Sequence, residues 1–310
     1  MISTFTSQKS NDQVTVCICT YKRPNLLSKL LEKISKQKTD NKFKFHIIVV
    51  DNDFHESAKV VVDRFKTTSQ INIQYFTEKI QNISKARNKA VCNAKGDFIA
   101  LIDDDEFPEN EWLLNLYNTF MAYEADCVLG PVIPHFQELP PNWIIKSKLF
   151  HRNTLSTGCI AKLINCRTGN VLLKQNIFDD SQNFFKEEFG RTGGEDIEFF
   201  RSLISQGRKI IWCNEAKAYE TIPPERWRKS FILNKYLRIG GLTGEKVRKG
   251  YRNRFLFLLH SFAGLFVYSL FLPVSIPFGF HLLFKSFVKI VYYTGCVLGF
   301  VGIVISRFRP

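Results

Sequence analysis

The sequence lacks the signatures of several common enzyme classes. Neither the phosphate-binding glycine loop of nucleoside triphosphatases nor the glycine pattern of dinucleotide-binding folds occurs in it. None of the six histidines pairs with a nearby serine or cysteine in a nucleophile motif. These absences argue against kinase, dehydrogenase and hydrolase functions.

Paired cysteines and a secretory leader are also missing. The eight cysteines form no C-x-x-C pair, and several of them lie in apolar runs. This usage predicts reduced thiols, mostly buried, in a cytosolic protein. The first thirteen residues are polar and show no signal peptide, so we expect the catalytic part to face the cytosol. No internal repeat or low-complexity linker is visible.

Acidic residues are fewer than basic ones, and the formal net charge is +14 over 310 residues. Such an excess favours an anionic partner, which can be nucleic acid, an acidic membrane surface or a phosphorylated ligand. The cations are dense in Gly244–Arg254, directly before a long apolar tail. This placement favours lipid headgroups. Because no basic helix or aromatic RNA-reading motif is present, we expect no nucleic-acid partner.

Charge is absent altogether from Phe255 to Phe284. The stretch exceeds the ~20 residues that a membrane-spanning helix needs, although two prolines interrupt it. A second apolar run covers residues 290–306. We therefore expect a membrane-associated helical region over residues 251–310, at the cytoplasmic face of the inner membrane.

The cations that flank the two apolar runs fit more than one arrangement of the helices at a membrane. Basic residues before the first run, and Arg307 and Arg309 after the second, fit a spanning hairpin with both ends in the cytosol. Lys285 and Lys289 between the runs favour a re-entrant or interfacial helical pair instead. A buried helical subdomain or a dimer surface is the remaining alternative.

Strand and helix patterns alternate in the first hundred residues. Short β-rich apolar patterns, typical of buried strands, occur at residues 14–20, 43–53, 71–76 and 97–102. Helical patterns occur at residues 23–37, 56–67 and 82–96, the last opened by Asn82 as an N-cap. The alternation predicts an α/β fold with a mostly parallel sheet flanked by helices.

The later part of the chain is less regular. Further strand patterns occur at residues 125–134, 158–164, 169–178 and 208–213, with a helix at 193–207 and a loop at 218–227. Residues 1–13 are expected to form a polar tail.

Three polar stretches follow predicted strands, where a parallel sheet binds its ligands. They are T-Y-K-R-P after the first strand, D-N-D after the second and the three aspartates D-D-D after the fourth. Adjacent carboxylates at the end of a buried strand repel one another unless a cation lies among them. A Mn²⁺ or Mg²⁺ ion shared with a diphosphate would remove this repulsion, although a solvated turn is the alternative for an acidic triplet alone.

Five stretches in order, TVCICTYKRP, HIIVVDND, ARNKA, GDFIALIDDDE and GGEDIEFFRSL, resemble glycosyltransferase family 2. The resemblance covers residues 14 to about 230 and is strongest to bacterial members that build surface polysaccharides. It implies the GT-A fold and a nucleotide-sugar donor, commonly a UDP-sugar. It also implies a catalytic domain over residues 14–250, with a nucleotide-sugar half at 14–110 and an acceptor half at 111–250.

The resemblance implies a donor site and a metal site. The donor-binding set is Thr20, Tyr21, Arg23, Asp51, Arg87, Asp103, Asp104 and Arg226. In this set Tyr21 would lie beside the base and Arg23 near ribose or phosphate, while Asp51 would accept a hydrogen bond from the base. Asp105 is expected to hold the metal, with Glu220 as a further ligand. Ordinary alternatives are a turn former for Asp51, a solvated helix face for Arg87 and an exposed carboxylate for Glu220.

The acceptor site implied by the resemblance centres on G-G-E-D. Gly194 would let the backbone approach the acceptor sugar, Glu195 would contact an acceptor hydroxyl, and Asp196 would be the general base. Plain capping of a helix by acidic residues is compatible with these roles. Trp227, like Trp143, is expected either to stack on a sugar ring or to anchor the core.

Together these features predict an inverting, metal-dependent hexosyltransferase. It would move a sugar from a nucleotide-diphosphate donor to a lipid-linked saccharide acceptor in surface polysaccharide synthesis. Pro223 replaces a polar residue of the Q-x-x-R-W motif of processive synthases, which favours the addition of a single sugar. A metal-dependent nucleotidyltransferase and a non-catalytic scaffold are the alternatives.

Overall fold

The computed structural model describes residues 11–179, 184–250 and 253–303. Most of the expected polar tail, together with Arg307 and Arg309, lies outside the described residues. The chain divides into two compact units. The first runs to Ile133 and resumes over Arg152–Thr221, and the second comprises Pro134–His151 and the chain from Ile222 onward. The predicted boundary between a catalytic domain and a membrane-associated region at residue 250 stays a prediction.

The main sheet of the first unit has seven strands among the described residues, in the order β3-β2-β1-β4-β8-β6-β9. β2, β3 and β4 join β1 in a parallel block, while β8 runs antiparallel to its neighbours β4 and β6. The predicted mostly parallel α/β sheet is confirmed. The bounds are β1 Gln13–Thr20, β2 Lys44–Asp51, β3 Ile73–Thr77, β4 Phe98–Asp103, β6 Cys127–Leu129, β8 Asn170–Lys174 and β9 Ile210–Trp212.

A second sheet of three short strands has the order β5-β10-β7. Its strands are β5 Glu106–Pro108, β7 Val132–Phe136 and β10 Ala218–Ile222. The prediction of a loop at 218–227 is therefore wrong for its first half. The antiparallel register of β5 and β10 sets Glu106 opposite Glu220.

The helices of the first unit follow the predicted patterns closely, except that the helix over residues 112–123 was not predicted. They are α1 Pro24–Ile34, α2 Lys59–Thr68, α3 Ile83–Asn93, α4 Trp112–Tyr123 and α6 Glu195–Ser205. Pro24 opens α1, where its missing N–H costs nothing. The Asn82 side chain caps α3 by accepting a hydrogen bond from the Lys85 N–H at 3.1 Å.

Two apolar clusters form the core, one on each face of the main sheet. Alternate residues of β1 supply them: Val14, Val16 and Ile18 pack on one face, and Cys17 packs on the other. Each fully buried aliphatic side chain of this kind stabilises the fold by about 1.5–3 kcal/mol. The clusters hold the strand ends in place, which fixes the positions of the polar residues that follow them.

The predicted strand at residues 158–164 is wrong. The structure shows a single bridge between Ile160 and Ile211 and a 3₁₀ turn over Leu163–Asn165. Gly158 has a φ of +89° and leaves no room for a side chain beside Tyr123, so the chain turns where a strand would begin.

The second unit contains α5 Asn142–Ser147, α7 Lys229–Arg248, α8 Arg254–Val274 and α9 Phe280–Val301. The predicted C-terminal pair of apolar helices is confirmed as α8 and α9. Both are long and apolar enough to cross a membrane by length and composition, with mean hydropathies of 2.0 and 1.3. A small apolar cluster joins α5, α7 and α9 and contains Ile144, Trp227, Ile232, Phe284 and Val288.

Candidate active site

Polar side chains from the ends of β1 and β4 meet at the carboxyl edge of the main sheet. Thr20 Oγ1 donates to Asp104 Oδ2 at 2.8 Å. Arg23 Nη1 lies 3.1 Å from Asp104 Oδ1 and 3.2 Å from Asp105 Oδ2. Burial raises the pKa of Asp104 to about 6, and Arg23 acts in the opposite direction. Asp104, the middle residue of the acidic triplet, is thus the buried carboxylate that joins Thr20 and Arg23.

Arg87 connects this edge to the G-G-E-D segment. Its Nη2 donates to Asp103 Oδ1 at 2.9 Å, and its Nη1 donates to Glu195 Oε1 at 2.6 Å. The Arg87 side chain is 8% exposed and that of Glu195 only 1%. Arg87 is therefore not on a solvated helix face. The buried Glu195 carboxylate bonds to Arg87, and its predicted contact with an acceptor hydroxyl stays a prediction.

Two glycines shape the start of α6. Gly193 and Gly194 have φ values of +88° and +98°, a left-handed conformation that residues with a Cβ adopt only at a cost. They turn the chain so that Glu195 points inward at Arg87 while Asp196 occupies the next position of the helix. The Asp196 Oδ1 accepts a hydrogen bond from the Ile197 N–H at 2.8 Å.

The surroundings of Asp196 change its acidity. Burial raises the pKa of the Asp196 carboxyl above its ordinary value, and the neighbouring Glu195 raises it further. Arg87 and Arg167 lower it and so oppose both effects. A carboxylate held in this way is a stronger proton acceptor than a free aspartate, as a general base at neutral pH requires.

A second acidic group lies where β5 pairs with β10. Glu106 is 3% exposed, and its Oε2 has no hydrogen-bond partner among the described residues. Burial raises the pKa of Glu106 well above its ordinary value, and Asp103 adds to the effect. Opposite it, Glu220 Oε2 accepts a hydrogen bond from Arg152 Nη2 at 2.6 Å. Glu220, predicted as a metal ligand, is thus already bound to a guanidinium.

The oxygen ligands at this edge of the sheet meet the needs of a hard divalent cation in part. The described residues contain no group of three or more metal-ligating side chains arranged to hold an ion. Asp103 and Asp105 nevertheless lie at the sheet edge, and each already bonds to a guanidinium. The buried Glu106 Oε2 also has no hydrogen-bond partner among the described residues, and a bound ion or water can satisfy a buried oxygen of this kind. Two carboxylates suit a Mg²⁺ or Mn²⁺ ion whose other ligands are diphosphate oxygens and water.

Two predicted base-binding residues lie at the same edge in different settings. Asp51 is fully buried: its Oδ1 accepts from the Asp53 N–H at 3.0 Å, and its Oδ2 accepts from the Ala58 N–H and the Tyr75 hydroxyl at 2.8 and 2.9 Å. This supports the alternative that Asp51 shapes the turn after β2. Tyr21 is half-buried in the turn after β1, with Lys22 Nζ 5.2 Å from its ring centroid.

The remaining predicted residues, Arg226 and Trp227, belong to the second unit. Trp227 is buried there and stacks on Phe136 with ring centroids 5.7 Å apart. Trp143 packs edge-on against Phe284 at 4.9 Å. The structure supports the core-anchor alternative for both tryptophans. A role of Arg226 in donor binding stays a prediction.

Three residues of this site are absent from the sequence-based predictions. Glu106 directly follows the aspartates, and reading the acidic run as four residues would have included it. Arg152 and Arg167 lie in irregular segments and carry no motif that could have pointed to them.

Comparison with known proteins identifies the family. Over residues 15–182 the sequence matches glycosyl transferase family 2, and this chain belongs to that family. The succinoglycan biosynthesis protein ExoM of Rhizobium meliloti (strain 1021) is 32% identical over 231 residues, which are 74% of each chain. The hyaluronan synthase of Pasteurella multocida is 25% identical over 246 residues, 68% of this chain and 25% of the synthase.

Solved structures show the same fold. A fragment of S. aureus TarS in complex with UDP superposes with a TM-score of 0.54 at 17% identity, covering 92% of this chain and 90% of the fragment. The mannosyltransferase PcManGT from Pyrobaculum calidifontis, in complex with GDP-Man and Mn²⁺, gives a TM-score of 0.60 at 15% identity, covering 94% and 88%. The predicted GT-A fold is confirmed.

Proposed function

We propose that this protein is an inverting glycosyltransferase that transfers a sugar from a nucleoside-diphosphate donor to a saccharide acceptor, with Asp196 as the general base. The observation that carries the proposal is the chain of ion pairs from Asp103 through Arg87 to Glu195. It fastens the start of α6, which bears Asp196, to the acidic strand end that suits a diphosphate and its cation. The helix start that carries the general base and the strand end that would bind the leaving diphosphate are thereby joined by one chain of ion pairs.

The reaction needs little more than this arrangement. Asp196 accepts the proton of the acceptor hydroxyl while the oxygen forms a bond to the anomeric carbon. The bond between that carbon and the donor diphosphate breaks on the opposite side, and the diphosphate leaves with the electron pair. A divalent cation held by Asp103 and Asp105 would stabilise charge developing on the diphosphate. Arg23, half-exposed at the same edge, is placed to contact a phosphate or the ribose.

A UDP-sugar is the proposed donor. Support comes from TarS, whose structures contain UDP and UDP-GlcNAc, and from the half-buried Tyr21 at the strand edge, where a base can stack. Mn²⁺ or Mg²⁺ is the proposed cation, and Mn²⁺ accompanies the donor in PcManGT.

The proposed acceptor is a lipid-linked saccharide at the cytoplasmic face of the inner membrane. The apolar helices α8 and α9 and the basic residues before them support this location. ExoM is named for succinoglycan biosynthesis, which supports a role in surface polysaccharide assembly. Addition of one sugar per encounter is proposed because Pro223 departs from the motif of processive synthases.

A nucleotide-sugar screen tests the activity. The purified full-length protein is incubated with a panel of UDP- and GDP-sugars, with and without Mn²⁺, and release of the nucleoside diphosphate is measured. We expect Mn²⁺-dependent release from one UDP-sugar and thermal stabilisation by UDP. Release of inorganic diphosphate from UTP would instead show a nucleotidyltransferase.

The Asp196→Asn variant separates catalysis from binding. Loss of the general base should lower turnover by about 10²–10⁴-fold while UDP still stabilises the protein. Glu198→Gln, two residues further along α6 and bonded to Arg201, is the matched control and should keep its turnover. Full complementation of a deletion strain by Asp196→Asn would show that the protein acts as a non-catalytic scaffold.

A further inference from the structure

Helix α8 exposes apolar side chains along its whole length. Ser261 is its one buried residue. More than half of the surface is exposed for each of the large side chains Phe255, Leu259, Phe262, Phe266, Leu270 and Phe271. Ile276 and Phe278, in the turn that follows, are 62% and 64% exposed. A continuous face of this kind is far larger than the apolar patches that soluble monomers expose, and it marks an interaction surface.

Helix α9 is covered on one side by α7. A Cβ on Gly240 would lie 2.1 Å from the Tyr292 carbonyl oxygen, and one on Gly244 would lie 2.1 Å from that of Cys296. The two backbones therefore touch with no side chain between them, as small residues permit. Because a step of four residues along α7 matches a step of four along α9, the two helices run side by side in the same direction.

Helix α7 is too polar to accompany α9 across a membrane. It carries charged residues along its length: Lys229, Lys235, Arg238, Glu245, Lys246 and Arg248. A lysine or arginine at the centre of a spanning helix costs about 2.5–3.5 kcal/mol, and α7 has two near its middle. On α9 itself Lys285 is exposed. Since α7 and α9 share one level, we do not expect α9 to span the bilayer.

Helix α8 packs against α9 and therefore lies at the same depth relative to a membrane. It packs antiparallel along α9, with the Phe257 and Phe300 rings 6.2 Å apart and the Tyr268 and Tyr293 rings 6.0 Å apart. A Cβ on Gly264 would meet the Tyr293 ring at 2.5 Å. An α8 that stood upright across a membrane would take α9 and the charged α7 with it.

We propose that α8 lies in the plane of an anionic membrane, inserted into the cytoplasmic leaflet by its exposed face, while α9 and α7 stay at the level of the headgroups. This deepens, and rests on, the membrane location in the proposed function. Cations at the start of α8 suit the partner: Arg248, Lys249 and Arg254 precede or open the helix. Each cation near an anionic surface adds about 1 kcal/mol of attraction. Both ends of α8 then face the cytosol.

Cysteine accessibility in cells tests the topology. Asn253→Cys, at the residue before α8, and Lys285→Cys, at an exposed polar position on α9, are made singly in a background where the exposed Cys92 and Cys159 are serine. An impermeant maleimide is applied to spheroplasts and to inverted inner-membrane vesicles. We expect both positions to react in inverted vesicles and neither in spheroplasts. Reaction of Lys285→Cys in spheroplasts would show a spanning hairpin and overturn the proposal.

Vesicle flotation tests the surface itself. The full-length protein should float with phosphatidylcholine vesicles that contain phosphatidylglycerol. Replacing Phe262, Phe266 and Leu270 together by serine should weaken this binding about tenfold or more. The control replaces Val60 and Ile164, which are 79% and 76% exposed, by serine and should float normally.

The donor assay distinguishes the two proposals. Nucleotide release from the UDP-sugar is measured on the same preparations, and the triple variant should retain it. A protein that releases nucleotide but forms a detergent-free dimer through α8, without binding vesicles, would overturn the membrane proposal and leave the activity intact. Vesicle binding without nucleotide release would count against the activity alone.

Discussion

Arg87 and Glu195 are 108 positions apart in the sequence, and yet their Nη1 and Oε1 atoms lie 2.6 Å apart. The same guanidinium bonds to Asp103 at the end of β4. Burial strengthens such bonds and makes each partner depend on the other. Arg87 is thereby a positioning residue: it sets the distance between the acidic strand end and the helix start that carries Asp196.

Replacing Arg87 should damage both stability and turnover. Arg87→Met leaves the Glu195 carboxylate buried without its guanidinium, which costs about 3–5 kcal/mol in buried pairs of this kind. Urea denaturation measures the loss. Arg87→Lys keeps the charge, but an ammonium cannot form the fork to two carboxylates. We expect Arg87→Lys to fold and bind UDP while its kcat falls at least tenfold.

A double-mutant cycle identifies the cause. Glu195→Gln removes the buried charge, so the combination of Arg87→Met with Glu195→Gln should be more stable than Arg87→Met alone. Equal stability of the two variants would mean that the pair contributes packing and no electrostatic coupling.

The pH dependence of kcat/KM should report Asp196. A general base must be deprotonated, and burial raises the pKa of this carboxyl above its ordinary value. The rate should therefore fall as the pH drops through that raised pKa, and the acid limb should lie above the range of a free aspartate. The thiol of Cys166, also nearby, stays neutral because burial raises its pKa to about 12.

Arg167 supplies the sharper form of this test. Its charge lowers the Asp196 pKa, so Arg167→Met should shift the acid limb of the kcat/KM profile to higher pH. Arg167→Lys keeps the charge and should leave the limb near its original position. Identical profiles for the two variants would contradict the assignment of Asp196 as the titrating base.

Metal dependence should separate the acidic residues. Asp105→Asn is expected to raise the Mn²⁺ concentration for half-maximal turnover about tenfold or more, since a neutral amide is a weaker ligand for a hard cation. Glu220→Gln should leave that concentration nearly unchanged, because Glu220 bonds to Arg152. A large effect of Glu220→Gln would show that Glu220 is a metal ligand, as the resemblance implies.

The parallel part of the fold was predictable because its strands are short, apolar and separated by clear helical patterns. Asn82 marked the start of α3 correctly. Helix α4 was missed, since its buried residues include the consecutive Trp112, Leu113 and Leu114, which obscure a helical period. Local sequence also could not show that α7 packs on α9.

The candidate site was predictable in its location but less so in its contacts. Strand ends brought Thr20, Arg23 and Asp104 together as expected. Whether a carboxylate points into solvent or into an ion pair depends on residues distant in sequence. Glu195 and Glu220 show this, since arginines from other segments occupy both.

Close packing of α7 on α9 gives the last prediction. In Gly244→Ala the new methyl group would lie 2.1 Å from the Cys296 carbonyl oxygen, and neither backbone can yield without separating the helices. The expected loss is about 1–3 kcal/mol, despite the gain in helix propensity of about 1 kcal/mol that alanine brings. Thermal unfolding followed by circular dichroism in mild detergent measures it. Gly264→Ala is the matched control: there the methyl meets only the ring of Tyr293, a side chain that can move, so a smaller effect is expected. If both variants lose the same stability, the backbone contact between α7 and α9 is not what holds the second unit together.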